Sequence, residues 1–155
     1  MSDPVKIVRG LLLANSGVTS LVVGNIFGGV LPEKFDPTNV GGITISVKGG
    51  TSHSELPLQY PSVQVTCWAG VNQFVQARQL YSSVFAALHG LNDIDFGDDG
   101  RLISCVEEAV GQDVTDPDSG WATVINAFAL KLTALPFAGV PIISSGSAVL
   151  FGGYL

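Results

Sequence analysis

Residues 62–90, SVQVTCWAGVNQFVQARQLYSSVFAALHG, change their hydrophobic period once, and that change constrains the fold more than any other stretch. Val63, Val65 and Cys67 alternate with Gln64, Thr66 and Trp68, the period of a strand with one face on a core. A brief turn at Ala69, Gly70 and Val71 follows. Phe74, Ala77, Tyr81, Val84, Phe85 and Leu88 then recur at helical spacing, while Gln73, Gln76, Gln79 and Ser82 face away. Asn72 is placed to cap this helix, and Gly90, after His89, to stop it. The middle of the fold is therefore a strand delivered straight into an amphipathic helix.

The flanking segments supply further elements. Asp3 followed by Pro4 starts a helix, expected to run to about Asn15 with Gly17 as its left-handed end. Val5, Val8 and Leu12 line one face of it, with Ile7 and Leu11 beside them. Residues 18–23 give a second helical turn, residues 25–31 a strand weakened by Gly28 and Gly29, and residues 34–42 a loop. Ile43, Ile45 and Val47 alternate with Thr44, Ser46 and Lys48 in a half-buried strand with one wet face. Residues 49–61, GGTSHSELPLQYP, are polar and punctuated by glycine and proline, so they predict a long loop, of the length that is usually functional or mobile. Residues 92–100 predict an acidic turn, 101–110 a strand, 111–120 another turn-rich stretch, and 121–133 the longest strand. On that last strand Ala122, Val124, Phe128, Leu130 and Leu132 share a face with Asn126, which needs partners and suggests an edge or a subunit contact.

Charge bears on how such a chain covers its surface. Its 155 residues are 46% apolar and 13% charged, against roughly 25% charged in an ordinary soluble domain. Such a deficit favours a protein that buries surface against copies of itself over one that dresses a large core in Ser, Thr and Gly. The net charge of −6 is carried without any basic cluster, which excludes sequence-reading nucleic-acid binding. An acidic surface still suits a duplex sliding past it. Residues 132–155 carry no charged side chain at all. Pro136, Pro141 and interspersed serine and glycine argue against a membrane helix, and the N-terminal apolar stretch is interrupted by Asn15, Ser16 and Gly17 and preceded by Asp3, which argues against a targeting signal. An extended arm, docked on its own or a neighbouring subunit, is the expectation. Its Val140, Ile142, Ile143, Val149, Leu150, Phe151 and Tyr154 would be costly to leave in water.

Catalytic and cofactor signatures do not emerge. His53 lies in the long loop and His89 at a helix end, where a donor suits the last carbonyls, and neither has metal-ligand spacing. The phosphate-cradling, dinucleotide, CxxC and nucleophile-elbow patterns are missing from the sequence. Asp93, Asp95, Asp98 and Asp99 fail the calcium-loop pattern, and like Asp113, Asp116 and Asp118 they are expected to bond their own backbone. Glu107 and Glu108 are adjacent on a strand and point to opposite faces, so they are not an acid–base pair. Cys67 and Cys105 are expected to be small buried hydrophobes. No enzyme activity, cofactor or metal is expected.

The order of segments carries a resemblance. LLLANSGVTSLVVGNIF, GITISV, the run beginning SVQVTCWAG, RLISCVEEA, and a DPDSG turn leading into WATVINAFALKL together resemble the tail terminator or tail completion proteins of long-tailed bacteriophages, over about residues 5–133. The resemblance implies an α+β fold, with a mixed, mainly antiparallel sheet packed by an N-terminal helix and one long central helix. It implies a virion protein that forms a ring, usually a hexamer, which stops polymerisation of the tail tube and joins tail to head. The partners so implied are sister chains, the tail tube protein and the head-neck connector protein, with DNA passing through the channel unread. The uncharged arm departs from the family's compact pattern. The chain is accordingly divided into a body, 1–133, and an arm, 134–155. Contacts with subunits or partners are expected at His53, Glu55, Leu56 and Leu58 in the long loop. In the arm they are expected at Phe137, Ile142, Ile143, Val149, Leu150, Phe151 and Tyr154. Two other readings stay open: a neighbouring neck or tube component, and a small α+β binding or enzymatic domain.

Overall fold

Asp3 opens the described part of the chain, residues 3–133 of a computed structural model. Its carboxylate accepts from the Val5 and Lys6 amides at 3.0 and 3.3 Å, so α1 (Pro4–Leu13) begins as the Asp-Pro pair requires. It closes at Ala14, and Gly17 does not end it. Asn15 instead caps a second helix, α2 (Ser16–Val22), by accepting from the Val18 amide, which leaves Gly17 inside that helix. The left-handed positions are Val23 and Gly24, at φ 50° and 83°, and they turn the chain into β1 (Ile26–Gly28).

The other strands are β2 (Gly42–Ser52), β3 (Leu58–Val71), β4 (Leu91–Asp95), β5 (Arg101–Thr115) and β6 (Trp121–Thr133), with α3 (Phe74–Leu88) between β3 and β4. They form one six-stranded sheet in the order β1-β2-β3-β6-β5-β4, in which β1 and β2 are parallel and every other pair is antiparallel. The fold is thus α+β, with a mixed, mainly antiparallel sheet as expected. The three helices cover one face. Ile7, Val8 and Leu12 of α1, Val18 and Val22 of α2, and Ala77, Leu80, Val84 and Leu88 of α3 join one core with Val63, Val65, Cys67, Val124, Phe128, Leu130 and Leu132. The alternation on β3 and β6 therefore gave the buried face correctly.

Several expectations are corrected. Residues 49–61 are mostly a β-hairpin: Gly49, Gly50, Thr51 and Ser52 pair with Ser62, Pro61, Tyr60 and Gln59, which leaves only residues 53–57 as the turn. Proline inside a central strand is normally excluded. Here it falls where β6 pairs with Gln59 and Ser62 but not with Tyr60 or Pro61, so the missing N–H breaks no ladder there. Gly50 lies opposite at φ 130°, where a Cβ would stand 2.7 Å from the Pro61 Cα. A bulge between Val47 and Gly49 shifts the register, so Val47 is exposed instead of following Ile43 and Ile45 into the core. Residues 92–100 contain most of β4 and a short 3-10 helix at Gly97–Asp99, and β5 runs on to Thr115, so only residues 116–120 turn. β5 and β3 are both longer than β6. Asn72 takes φ 60° and does not cap α3. Gln73 holds that position, and its Oε1 accepts from the Gly70 amide at 2.8 Å. Asn126 lies on β6, between β3 and β5, and not at an edge.

The sheet's second face is drier at one end than alternation alone implies. Loop residue Phe35 packs edge-on against Phe27 and Trp121, and Trp121 packs against Trp68, with centroids 5.4, 6.5 and 6.1 Å apart. Trp68 Nε1 donates to Thr44 Oγ1 at 3.0 Å, and Thr44 and Thr66 are buried beneath this cluster.

Candidate assembly interface

Sheet edges decide what a β protein can pair with, because each edge presents a row of backbone donors and acceptors. β4 covers β5 only over residues 101–105. Beyond that point α3 and its cap close the edge with side chains. His89 Nδ1 accepts from the Glu107 amide at 3.0 Å, and the Gly111 amide donates to the Tyr81 hydroxyl at 3.1 Å. Arg78 and Asp113 form an ion pair farther along. Gly111 makes the approach possible, since a Cβ there would lie 2.8 Å from the Tyr81 ring. His89 therefore serves the neighbouring strand while stacking on Phe85 at 4.5 Å, and its ring does not bond its own helix carbonyls as the sequence suggested. β4's own edge is interrupted by Asp93 at φ 59° and carries Asp93 and Asp95, both paired with Arg101.

The opposite edge is treated differently. β1 pairs with β2 only from Ile43 to Ile45. Residues 46–52 have no strand on the side away from β3 among the described residues. A depression of about 380 Å³ runs beside them, lined by Pro4, Val47, Gly49, Gly50, Gln59 and Pro61 among others.

At the far end of this hairpin stand four of the expected contact residues. His53 Nδ1 accepts from the Glu55 and Leu56 amides at 3.1 and 3.0 Å, and the His53 amide donates to the Leu58 carbonyl at 2.9 Å. The turn is thus organised by His53 in the manner of an Asx turn. Leu56 is left 54% exposed at the tip. The structure brings His53, Glu55, Leu56 and Leu58 together. Phe137, Ile142, Ile143, Val149, Leu150, Phe151 and Tyr154 lie outside the described residues, as does the whole expected arm. Sequence reasoning missed the edge at residues 46–52. The Gly49–Gly50 pair that disguises it as a loop also leaves its middle bare of side chains.

Polar chemistry is concentrated between α3 and β5. The Tyr81 hydroxyl donates to Glu107 Oε2 at 2.6 Å, and Asn126 Nδ2 donates to the same oxygen at 3.5 Å. Burial first, then Glu107, pushes the Tyr81 phenol above its ordinary value. Asn126 is 1% exposed, and its Oδ1 has no partner among the described residues. Glu108 points to the other face, where Ser62 Oγ donates to it, so the two glutamates are separated as expected. Burial pushes the Cys105 thiol up to about 12 and the Cys67 thiol higher still, so both are inert hydrophobes in the core. The acidic turns bond their own backbone at Asp95 and Asp116. Asp93, Asp99 and Asp113 instead pair with Arg101, Lys6 and Arg78.

A concavity of about 230 Å³ between α2, α3 and the loop that precedes β2 is lined by Leu21, Thr38, Asn39, Trp68, Gln73 and Gln76 among others, without an ionisable side chain. Among the described residues no three His, Cys, Asp or Glu side chains gather as a metal site. No single described helix is long and apolar enough to cross a membrane.

The fold defines a class before any partner is considered: a helix-covered mixed sheet with one guarded and one open edge. No protein-family model matches the sequence, and a comparison with curated proteins gives no match. Among solved structures, a chain of the virion of the native gene transfer agent particle shares the fold, with a TM-score of 0.59 at 16% identity, over 81% of this chain and 91% of that one.

Proposed function

We propose that this protein is a structural virion component of the phage type, a subunit that assembles into a ring, closes the tail tube and joins the tail to the head. The reading takes the ring as a homohexamer whose other partners are the tail tube protein and the head-neck connector protein, with DNA passing through unread. It assigns the chain no enzymatic role and places it in the virion, at the head–tail junction. One observation carries it: the same element order that resembles tail terminators folds into an architecture shared, over 81% of this chain, with a chain of a virion particle. The charge deficit adds support, because ring contacts cover apolar surface that a monomer would have to dress with charge.

Native mass spectrometry with negative-stain imaging of the purified protein tests the reading. A closed ring with an open channel is expected. A monomer or compact dimer at high concentration would refute it. Long helical tubes built from this chain alone would instead assign it to the tube.

A further inference from the structure

We propose that the open outer edge of β2, residues 46–52, is a strand-docking site, occupied by part of residues 134–155 of a neighbouring copy of this chain. The inference rests on the reading of the protein as a self-assembling subunit and names the contact that would join one subunit to the next.

Edge chemistry is the first support. β5 is sealed along its outer side by His89, Tyr81 and the Arg78–Asp113 pair, and β4 is broken by a left-handed Asp93. Natural sheets blunt their edges in such ways to prevent stray pairing. Residues 46–52 are not so protected over most of their length. Lys48 and the bulge sit toward the inner end, and Gly49, Gly50, Thr51 and Ser52 then continue as an uncharged ladder paired, among the described residues, on one side only. Val47, 48% exposed, and Pro4 line the adjacent depression, which offers apolar side chains of an added strand somewhere to go. Strand addition of this kind draws affinity from backbone hydrogen bonds and selectivity from alternate side chains.

Composition and the position of Thr133 point to the occupant. Residues 134–155 contain no charged side chain and include Val140, Ile142, Ile143, Val149 and Phe151, residue types that favour strands. They follow Thr133, which pairs with Leu58 at the tip of the same hairpin. Fully extended, they could reach about 70 Å at roughly 3.3 Å per residue. The six-stranded sheet is only about 30 Å wide at roughly 4.8 Å per strand. A segment that, extended, is more than twice as long as its own sheet is wide has the length to reach past its protomer. Each copy would then give one segment and offer one edge, a head-to-tail contact that closes by rotation into a ring.

Cross-linking of the full-length protein tests this. Thr51→Cys is placed in one preparation and Ser144→Cys or Ser147→Cys in another of different isotopic mass. The native thiols are buried and do not compete. After mixing and mild oxidation, a disulfide between the two preparations is expected for at least one tail position. A disulfide that forms only within one chain carrying both substitutions, or none at any position, overturns the proposal. Hydrogen exchange on the unsubstituted protein gives an independent readout. The outward-facing amides within residues 49–52 should exchange at least ten-fold faster after dilution to monomer, and equal rates at all concentrations overturn the docking. A closed ring without cross-link or protection removes the edge proposal and leaves the ring standing. Cross-links between copies without ring particles support the edge and remove the ring.

Discussion

Replacing Tyr81 with Phe deletes one oxygen and tests whether α3 is tied to the β5 edge by hydrogen bonding or by packing alone. The hydroxyl donates to Glu107 Oε2 at 2.6 Å and accepts from the Gly111 amide at 3.1 Å, so two groups lose a partner together. A hydrogen bond to a charged group contributes about 1.5–3 kcal/mol. The site is only half-buried, so water can replace part of the loss, and the lower half of that range applies. With the Gly111 amide included, about 2 kcal/mol is expected. For a chain of this size that corresponds to a fall in Tm of about 4–8 °C. Urea titration at matched protein concentration measures it, and a double-mutant cycle with Glu107→Gln should return a coupling of at least about 1 kcal/mol. The pH dependence supplies a second arm. The folded phenol holds its proton more tightly than the unfolded one, first through burial and then through Glu107. Its contribution is therefore complete below the unfolded pKa of about 10 and is lost as pH rises through the higher folded value. Above pH ~10 the parent protein should lose stability more steeply than Tyr81→Phe. A loss under about 0.5 kcal/mol with no coupling would refute the account and make the ring's packing the whole contribution.

Other outcomes follow from single contacts. Gly50→Ala places a methyl 2.7 Å from the Pro61 Cα at φ 130°, so it should cost about 2 kcal/mol or more, read as a lower urea midpoint. Asp3→Ala removes the acceptor for two amides at the start of α1 and should cost about 1 kcal/mol in the same titration, with Asp3→Asn close to neutral. Cys67 and Cys105 should resist a thiol reagent at neutral pH in the native protein and react in full in denaturant; labelling of either in the native state would contradict their burial.

Periodicity made most of the fold legible. Val63, Val65 and Cys67, then Ala77, Val84 and Leu88, and then the even-numbered positions of β6 specify their buried faces through local spacing, because side chains alternate on a strand and recur every 3.6 residues on a helix. The Asp3 cap and the Gly90 stop are similarly local. The errors have a shared cause. Pro61 and the Gly49–Gly50 pair read locally as loop formers, yet Gly50 and Pro61 face each other across a ladder, where the close approach needs a glycine. Likewise, the acidic residues around β4 looked like turn formers until Arg101 and Lys6 arrived from other segments to pair with them. His89 was placed correctly at the end of α3, but its ring serves β5. The four expected contact residues of the hairpin tip are close together in sequence and so could be grouped, whereas the bare edge beneath them could not.

By itself the sequence determined the helices, the central runs of β2, β3, β5 and β6, their order, most of the faces that go inward and the shortage of charge, since each depends on neighbours along the chain or on composition. Tertiary structure alone decided which strand lies at an edge and what covers it. That outcome turns on the order β1-β2-β3-β6-β5-β4, on a β1 too short to shield β2, and on a helix laid close enough to β5 for Tyr81 and His89 to reach its amides. Backbone donors and acceptors are the same at every residue, so no side-chain pattern announces which of them the folded chain leaves unpaired.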